Sequence, residues 1–293
     1  MYDAEPTTTH AAMASPWLSE SAFVSALNAV HDRGYVIIEN AMSLEDCRQY
    51  RDELERHMAQ SPRGRNVFEG TSSHRLYALL AKSETFAAMI EHPLALAFAE
   101  HFLGESCLLS ACLSINLHPG ESVQPWHTDD AHIGVAHPHG IFGVSVFWAL
   151  DETTVLNGAT EVLPYSHRWA DSELQGMLQG MLQDEHFTQT ETVGEDSHGA
   201  LDSVHAAMPA GSIMIMRSDV WHRGGANRSE TDRLIVTPQY CAGWARQLEN
   251  MLLAVPAERA RVLPKRTQEL LGYSIHTPFM GYVDGMHPSR VLK

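Results

Sequence analysis

The residues of this sequence best suited to chemistry lie in one short stretch and at one distant histidine. His127 and Asp129 form a His-x-Asp pair, and His222 follows much further along the chain. Residues two apart on an extended strand point to the same face, so this imidazole and this carboxylate can converge on one metal ion. Two histidines and one carboxylate leave coordination positions open, an arrangement typical of non-haem Fe(II) oxygenases.

Arg233, which follows His222, adds a second chemical feature. Its planar guanidinium suits a bidentate clamp on the far carboxylate of 2-oxoglutarate. A His-x-Asp pair alone is a weak signal. His127 and Asp129 could lie on a surface turn, and His222 could be a core histidine whose hydrogen bonds are satisfied. The order of His-x-Asp, distal histidine and distal arginine favours the metal site.

Short strands must position these side chains. Apolar and β-branched runs predict strands over residues 35–38, 108–117, 142–150, 159–163, 212–216 and 234–240. Helical spacing and capping patterns predict helices between Ser19 and Gly34, from Ser43 to about Met58, and over residues 76–81, 84–91, 93–102, 174–182 and 244–253.

Helices first and short strands later predict an α+β fold with a mainly β core. The expected architecture is a double-stranded β-helix (a jelly roll, cupin-like) with flanking helices. In that fold the strand ends that carry His127, Asp129 and His222 meet at the mouth of the barrel. Residues 1–15 are predicted to be a flexible N-terminus, and residues 16–293 a single domain.

Several segments resemble the phytanoyl-CoA dioxygenase (PhyH-like) family of Fe(II)/2-oxoglutarate-dependent oxygenases. They are PG at 119–120, QPWHTDD at 124–130, FWALD at 147–151, NGAT at 157–160, LPYSH at 163–167 and WHR at 221–223. The resemblance implies that His127, Asp129 and His222 are iron ligands. Because Asp129 is present, halogenation is not expected; related halogenases replace this carboxylate by a small residue and so make room for chloride.

The resemblance also implies how the co-substrate is held. Arg233 would pair with the C5 carboxylate of 2-oxoglutarate, and Gln124 and Thr160 would hydrogen-bond it. Gln124 has an alternative interpretation as a turn residue, and Thr160 as a strand residue. Many relatives have Pro-Gly-Ser-His where this chain has Tyr165 at the second position, so His167 is left out of the predicted site.

The implied reaction uses Fe(II), O2 and 2-oxoglutarate, which is decarboxylated to succinate and CO2 while a C–H bond of a small molecule is oxidised. Hydroxylation is the default outcome; desaturation, epoxidation or ring formation stay open. Two rivals are a zinc hydrolase that uses the same three residues and a non-catalytic jelly-roll binding protein. An acyl-CoA ester is a further possible substrate, against which the negative net charge speaks mildly.

Other polar residues near the motif are expected to lie outside the site. Asp130 neighbours Asp129, and adjacent residues of a strand point to opposite faces, so Asp130 is predicted to support the site or lie on the surface. His132, His137 and His139 are predicted to form a surface loop or a lid on the substrate side, without binding metal.

Composition excludes some partners. The chain has 20 Lys+Arg and 36 Asp+Glu, a formal net charge of −16, which repels nucleic acid and anionic membranes. The four cysteines show no Cys-x-x-Cys spacing and are predicted to be core residues in a reducing compartment. With no signal peptide or membrane span visible, we expect a cytoplasmic monomer or homodimer that binds a small-molecule substrate.

Overall fold

The computed structural model describes residues 7–58, 61–173 and 203–293, so the helix predicted over 174–182 lies outside the described residues. The helices are α1 (Thr8–Ala14), α2 (Glu20–Arg33), α3 (Leu44–Met58), α4 (Leu79–Lys82), α5 (Phe86–Ile90), α6 (Pro93–Leu103), α7 (Met251–Ala254), α8 (Ala257–Val262) and α9 (Lys265–Leu271). The strands are β1 (Tyr35–Ile38), β2 (His74–Leu76), β3 (Leu108–Leu117), β4 (Gly143–Ala149), β5 (Thr160–Val162), β6 (Val204–His205), β7 (Ile213–Arg217), β8 (His222–Gly224) and β9 (Arg233–Cys241).

The strands form two antiparallel sheets. The larger sheet has the order β1-β7-β4-β9-β3-β2, and the smaller has the order β6-β5-β8. Consecutive strands of the chain are seldom neighbours, since β4 pairs with both β7 and β9 while β3 pairs with β9. Two antiparallel sheets with such crossovers are the jelly-roll arrangement that the sequence predicts.

Alternation along the strands separates two apolar layers. On β4, Val146 and Trp148 pack among the N-terminal helices, while Phe147 and Ala149 pack toward the smaller sheet. The methionines of β7, Met214 and Met216, also belong to the layer between the sheets. Because both faces of these strands are buried, the sequence shows continuous apolar runs in place of a simple alternation.

The predicted helix between Ser19 and Gly34 is confirmed, and local chemistry explains both of its ends. The Ser19 hydroxyl accepts a hydrogen bond from the Ala22 amide at 3.3 Å, which caps the first turn. Gly34 adopts a left-handed conformation with φ of 98°. A Cβ at this position would lie 2.4 Å from Val220 Cγ2, so only glycine lets β1 begin here.

Three local predictions need correction. Residues 8–14 form α1 instead of a flexible terminus, because Thr7 caps the helix and Ala14 is buried in the core. Leu76, predicted as helical, lies on β2 opposite Ser114 of β3. Most of residues 244–253 is not helical, because two of its backbone amides bond Ser110 of β3. The Leu248 amide donates to the Ser110 hydroxyl, and the Glu249 amide donates to the Ser110 carbonyl.

All four cysteines are buried and free, in agreement with the prediction that they are core residues. Within the described ranges, no helix combines the length and the apolar content that crossing a membrane requires. The assignment of residues 16–293 to a single domain stays a prediction.

Candidate active site

His127 and His222 face each other as one antiparallel pair at the edge of the smaller sheet. Their backbones exchange two hydrogen bonds, His127 N to His222 O at 3.0 Å and His222 N to His127 O at 2.9 Å. Directly opposed residues place their side chains on one face, and the ring centroids are 4.3 Å apart. His127 forms this single bridge and belongs to no regular strand, unlike the strand end that the sequence predicts.

Asp129 completes a cluster that we call the triad (His127, Asp129, His222). Its Oδ1 lies 3.9 Å from His127 Nε2 and 3.7 Å from His222 Nε2. One ligand atom from each residue can be chosen so that all three lie within 4.8 Å of one another. Its second oxygen, Oδ2, accepts a hydrogen bond from the Ser145 hydroxyl of β4 at 2.5 Å. The carboxylate is therefore held with one oxygen turned toward the two imidazoles.

Both imidazoles present the nitrogen that a metal needs. His127 Nδ1 donates to the Pro125 carbonyl and His222 Nδ1 to the Val220 carbonyl, each at 3.0 Å. A carbonyl oxygen can only accept, so in the neutral ring the Nε2 lone pair is left for a ligand. Burial, and then the neighbouring His222, lower the pKa of His127 to about 4, so this ring is neutral at pH 7. These donors fit an Fe(II) ion.

Arg233 lies at the start of β9 and is only 2% exposed. Its Nη2 donates to the Gly158 carbonyl at 2.7 Å, whereas its Nε and Nη1 are buried with no acceptor among the described residues. Burial, and then Arg75, lower the pKa of Arg233 to about 10, so it stays charged at pH 7. A buried cation with unmet donors fits a carboxylate ligand such as that of 2-oxoglutarate.

Gly158 holds this arginine through a turn that other residues cannot adopt easily. Its φ is 86°, and a Cβ would lie 2.5 Å from Leu117 Cδ2 and 2.7 Å from the Gly225 carbonyl. The turn at Gly158 therefore places the carbonyl that orients Arg233.

The triad and Arg233 open into the same cavity of about 460 Å³ between the two sheets. One wall is the strand pair β3 and β9, whose inward residues alternate along both strands. Leu117, Ile115 and Leu113 of β3 line it beside Arg233, Ile235 and Thr237 of β9. Phe147 and His132 also line the cavity. Trp148, the neighbour of Phe147 on β4, lies in the core instead.

Gln124 and Thr160 also line this cavity. The Gln124 amide bridges two segments: its Oε1 accepts from Gly224 N and its Nε2 donates to the Phe68 carbonyl, each at 3.0 Å. Thr160 lies on β5 opposite Gly224. Contact of Gln124 and Thr160 with the co-substrate stays a prediction. Gln124 also links the segments of Gly224 and Phe68 through its two hydrogen bonds.

The sequence interpretation missed several residues of the site. Ser145, which donates a hydrogen bond to Asp129, belongs to no recognisable sequence motif. A single serine in an apolar strand looks like an ordinary small core residue. Arg75 was not missed: Arg75 and Arg246 are the two arginines that the sequence offers as contacts for an acidic substrate, and of these Arg75 lines the cavity. Asp130, His137 and His139 are brought together as a second group, which we call the loop cluster, with ligand atoms within 4.8 Å. Most residues of loop 131–140 are exposed, but the side chains of His137 and His139 are only 8% and 6% exposed, so these two are not plain surface residues. Whether the loop acts as a lid without binding metal stays a prediction.

A double-stranded β-helix that encloses two histidines and one carboxylate defines a class, the non-haem 2-oxoglutarate-dependent oxygenases. The chain belongs to the phytanoyl-CoA dioxygenase (PhyH) family, whose model matches residues 30–235. It is therefore an enzyme of the 2-oxoglutarate-dependent dioxygenase superfamily, with iron and 2-oxoglutarate as its cofactors. The family resemblance stated from the sequence is confirmed.

Relatives and solved structures agree with this assignment. The chain is 27% identical over 259 residues to dioxygenase af480 of Aspergillus fumigatus, covering 86% of this chain and 76% of the relative. It is 26% identical over 295 residues to dioxygenase cnsJ of Penicillium expansum, covering 91% and 81%. The structure of SnoN, a non-haem alpha-ketoglutarate-dependent epimerase from nogalamycin biosynthesis, matches with a TM-score of 0.59 at 19% identity, covering 76% of this chain and 83% of SnoN. SnoK, a carbocyclase of the same biosynthesis, matches with a TM-score of 0.56 at 17% identity, covering 82% and 87%.

Proposed function

We propose that this enzyme hydroxylates a C–H bond of a small organic molecule and couples that step to decarboxylation of 2-oxoglutarate. The balance is substrate, O2 and 2-oxoglutarate giving hydroxylated substrate, succinate and CO2. The observation that carries the proposal is one cavity in which the triad lies beside a buried arginine with two unmet N–H donors. A zinc hydrolase would have no need of that arginine.

In this proposal His127, Asp129 and His222 bind the iron. When bound, the iron activates O2 with electrons from 2-oxoglutarate and so supplies the oxidising chemistry. The protein orients both imidazoles through the two backbone carbonyls at their Nδ1 atoms. Ser145 keeps the Asp129 carboxylate turned to the metal through its hydrogen bond to Oδ2.

In the same proposal, Arg233 binds the C5 carboxylate of 2-oxoglutarate by donating hydrogen bonds from its Nε and Nη1 atoms. Arg75 is mostly buried at the same cavity and adds positive charge, which favours a dianionic co-substrate. Thr160 and Gln124 would contribute further hydrogen bonds. Apolar side chains of β3 and β9, together with Phe147, exclude water from the reacting atoms.

We assign the prime substrate to the part of the cavity beyond Thr237 of β9. At roughly 3.3 Å per residue, Thr237 lies about 13 Å along the strand from Arg233. Gln239, Tyr77 and Glu249 line that end. The Thr237 hydroxyl is buried without a partner in the described chain, and burial raises the pKa of Glu249. A small molecule with polar groups suits this end, and the cavity volume supports a small substrate over a macromolecule. We place the enzyme in the cytoplasm, as its four free cysteines suggest.

The first test measures succinate formed by anaerobically purified protein given Fe(II), 2-oxoglutarate and O2. We expect slow turnover without a prime substrate, lost in His127→Ala and weakened in Arg233→Ala. Absence of turnover together with absence of 2-oxoglutarate binding by the iron-loaded protein would remove the proposal.

The second test separates hydroxylation from other outcomes, since SnoN is an epimerase and SnoK a carbocyclase. Candidate substrates that accelerate succinate formation are analysed by mass spectrometry under 18O2. One 18O atom in the product of a substrate without a carbon–carbon double bond supports hydroxylation, since epoxidation of a double bond would add the same mass. A product of unchanged mass indicates epimerisation, and loss of two hydrogens indicates desaturation or ring closure.

A further inference from the structure

The loop cluster (Asp130, His137, His139) lies outside the active-site cavity, although Asp130 directly follows Asp129 of the triad. None of its three residues lines that cavity. His139 Nε2 is 3.9 Å from Asp130 Oδ2, and one ligand atom from each residue can be chosen so that all lie within 4.8 Å. These spacings match those of the triad.

The Asp130 carboxylate is the first sign that a ligand belongs here. The residue is 4% exposed, and neither of its oxygens has a hydrogen-bond partner in the described chain. Buried carboxylates are normally paired or bound to a metal, because an uncompensated charge away from water is costly. A positively charged ligand or a protonated histidine would satisfy these oxygens.

The two histidines are oriented as metal-binding histidines are. His137 Nδ1 bonds Asp171 Oδ1 at 2.9 Å, and His139 Nδ1 bonds the Gly140 carbonyl at 2.7 Å. A carboxylate and a carbonyl accept, so each Nδ1 donates, which leaves Nε2 as the atom of each ring that can face a ligand. His137 Nε2 is buried with no partner among described residues. A carboxylate behind a histidine is a common support of metal ligands.

Asp219, which also approaches the cluster, is already held in an ion pair with Arg217. Its oxygens accept two hydrogen bonds from Arg217, at 2.8 and 2.6 Å, and its Oδ2 stays 3.9 Å from His139 Nδ1. It therefore adds negative charge near the cluster without being free to bind a cation. The Asp130 oxygens and His137 Nε2 therefore stay buried without a partner among the described residues, and His139 Nε2 lies 3.9 Å from Asp130 Oδ2.

We propose that the loop cluster binds a divalent transition-metal ion of the zinc type, through Asp130, His137 Nε2 and His139 Nε2. Two imidazoles and one carboxylate suit Zn2+, with a fourth tetrahedral position left for water. Mg2+ and Ca2+ prefer oxygen ligands and suit the set less well. The ion would tie Asp130 to the far end of loop 131–140, which carries the cavity-lining His132.

The test is the number of zinc ions bound per chain after equilibrium dialysis against buffered Zn2+, measured by elemental analysis. We expect two in the wild-type chain, one in His127→Ala/His222→Ala, and one in His137→Ala/His139→Ala. The surface variant His31→Ala, whose ring pairs with exposed Asp32, should keep two. Co2+ in His127→Ala/His222→Ala should show visible absorption bands of a tetrahedral site, absent after His137→Ala/His139→Ala is added.

One ion in the wild-type chain and none in His127→Ala/His222→Ala would overturn the proposal. The cluster would then be a histidine–aspartate ion pair. The wild-type count decides the matter even if the loop variants fail to fold, and circular dichroism identifies such a failure. His137→Gln, which keeps the size of the side chain, provides the second variant and should also bind one ion.

Discussion

The triad and the loop cluster have the same residue types and the same spacing, but different parts of the fold hold them. The triad rests on backbone pairing, because His127 and His222 exchange two hydrogen bonds across a strand bridge. The loop cluster rests on side-chain contacts in residues 130–140, with Asp171 behind one ring. Pairing of this kind fixes ring positions to the sheet, whereas a loop can adjust to the ion that it binds.

The surroundings of the two groups differ even more. The triad opens into a cavity that also contains a buried cation, Arg233. The loop cluster faces further negative charge: burial and then Asp219 raise the pKa of Asp130 to about 6. A site for redox chemistry needs room for co-substrate and an anchor for it, and only the triad has both. The comparison assigns chemistry to the first group and structural support to the second.

The largest expected effect follows from removing one histidine of the triad. In His222→Ala we expect succinate formation to fall to that of iron-free protein, because two remaining ligands hold Fe(II) poorly. The assay is coupled to a measurement of bound iron. Full activity with normal iron content in this variant would show that His222 is a core residue, and the distinction between the two groups would fail.

The second effect tests the anchor that only the triad possesses. In Arg233→Ala we expect the KM for 2-oxoglutarate to rise about 30-fold or more, since losing one partner of a buried charge pair costs about 2–5 kcal/mol. Iron content should not change. Arg246→Ala is the matched control, because that arginine does not line the cavity, and its KM should stay near that of the wild type. An equal rise of the KM for 2-oxoglutarate in both variants would mean that Arg233 contributes only to the overall positive charge and does not bind the carboxylate.

Much of this molecule follows from local patterns in the sequence. The strand at 35–38, the helix after Ser43 and the long strand at 108–117 carry strong periodicity and capping signals, and all are present. The triad and Arg233 also follow from the order of residue types. The short strands β2, β6 and β8 were missed, although β5, which is equally short, lies within the predicted strand 159–163. Pairing with distant segments, and not local propensity, creates such strands.

The supporting contacts could not be derived in the same way. Ser145 meets Asp129 only because β4 crosses the cavity next to residue 129, and Asp171 meets His137 across a separation of 34 residues. The segment 244–250 reads as helical, yet its amides are taken by Ser110 of β3. Tertiary contacts of this kind override local propensity and leave no periodic signal in the sequence.

The third effect concerns the support of the triad. In Ser145→Ala we expect the Kd for Fe(II) to rise about 10- to 100-fold, the range for losing a partner that orients a metal ligand. At saturating iron, turnover should recover most of its wild-type value, because all three ligands remain. Ser114→Ala is the control, since that buried serine of β3 has no hydrogen-bond partner for its hydroxyl in the described chain. Unchanged iron affinity in Ser145→Ala would mean that Asp129 needs no such support.

The smallest effect concerns the support of the loop cluster. In Asp171→Asn the amide oxygen can still accept from His137 Nδ1, but the negative charge behind the ring is lost. We expect the zinc affinity of this cluster to weaken by less than about 10-fold, below the range for removing such a partner. Iron binding by the triad and succinate formation should not change, because Asp171 contacts neither. Zinc titration in His127→Ala/His222→Ala with and without Asp171→Asn isolates the loop cluster. A parallel loss of iron affinity in the otherwise wild-type chain would show that the two groups, one residue apart in sequence, act as a single unit.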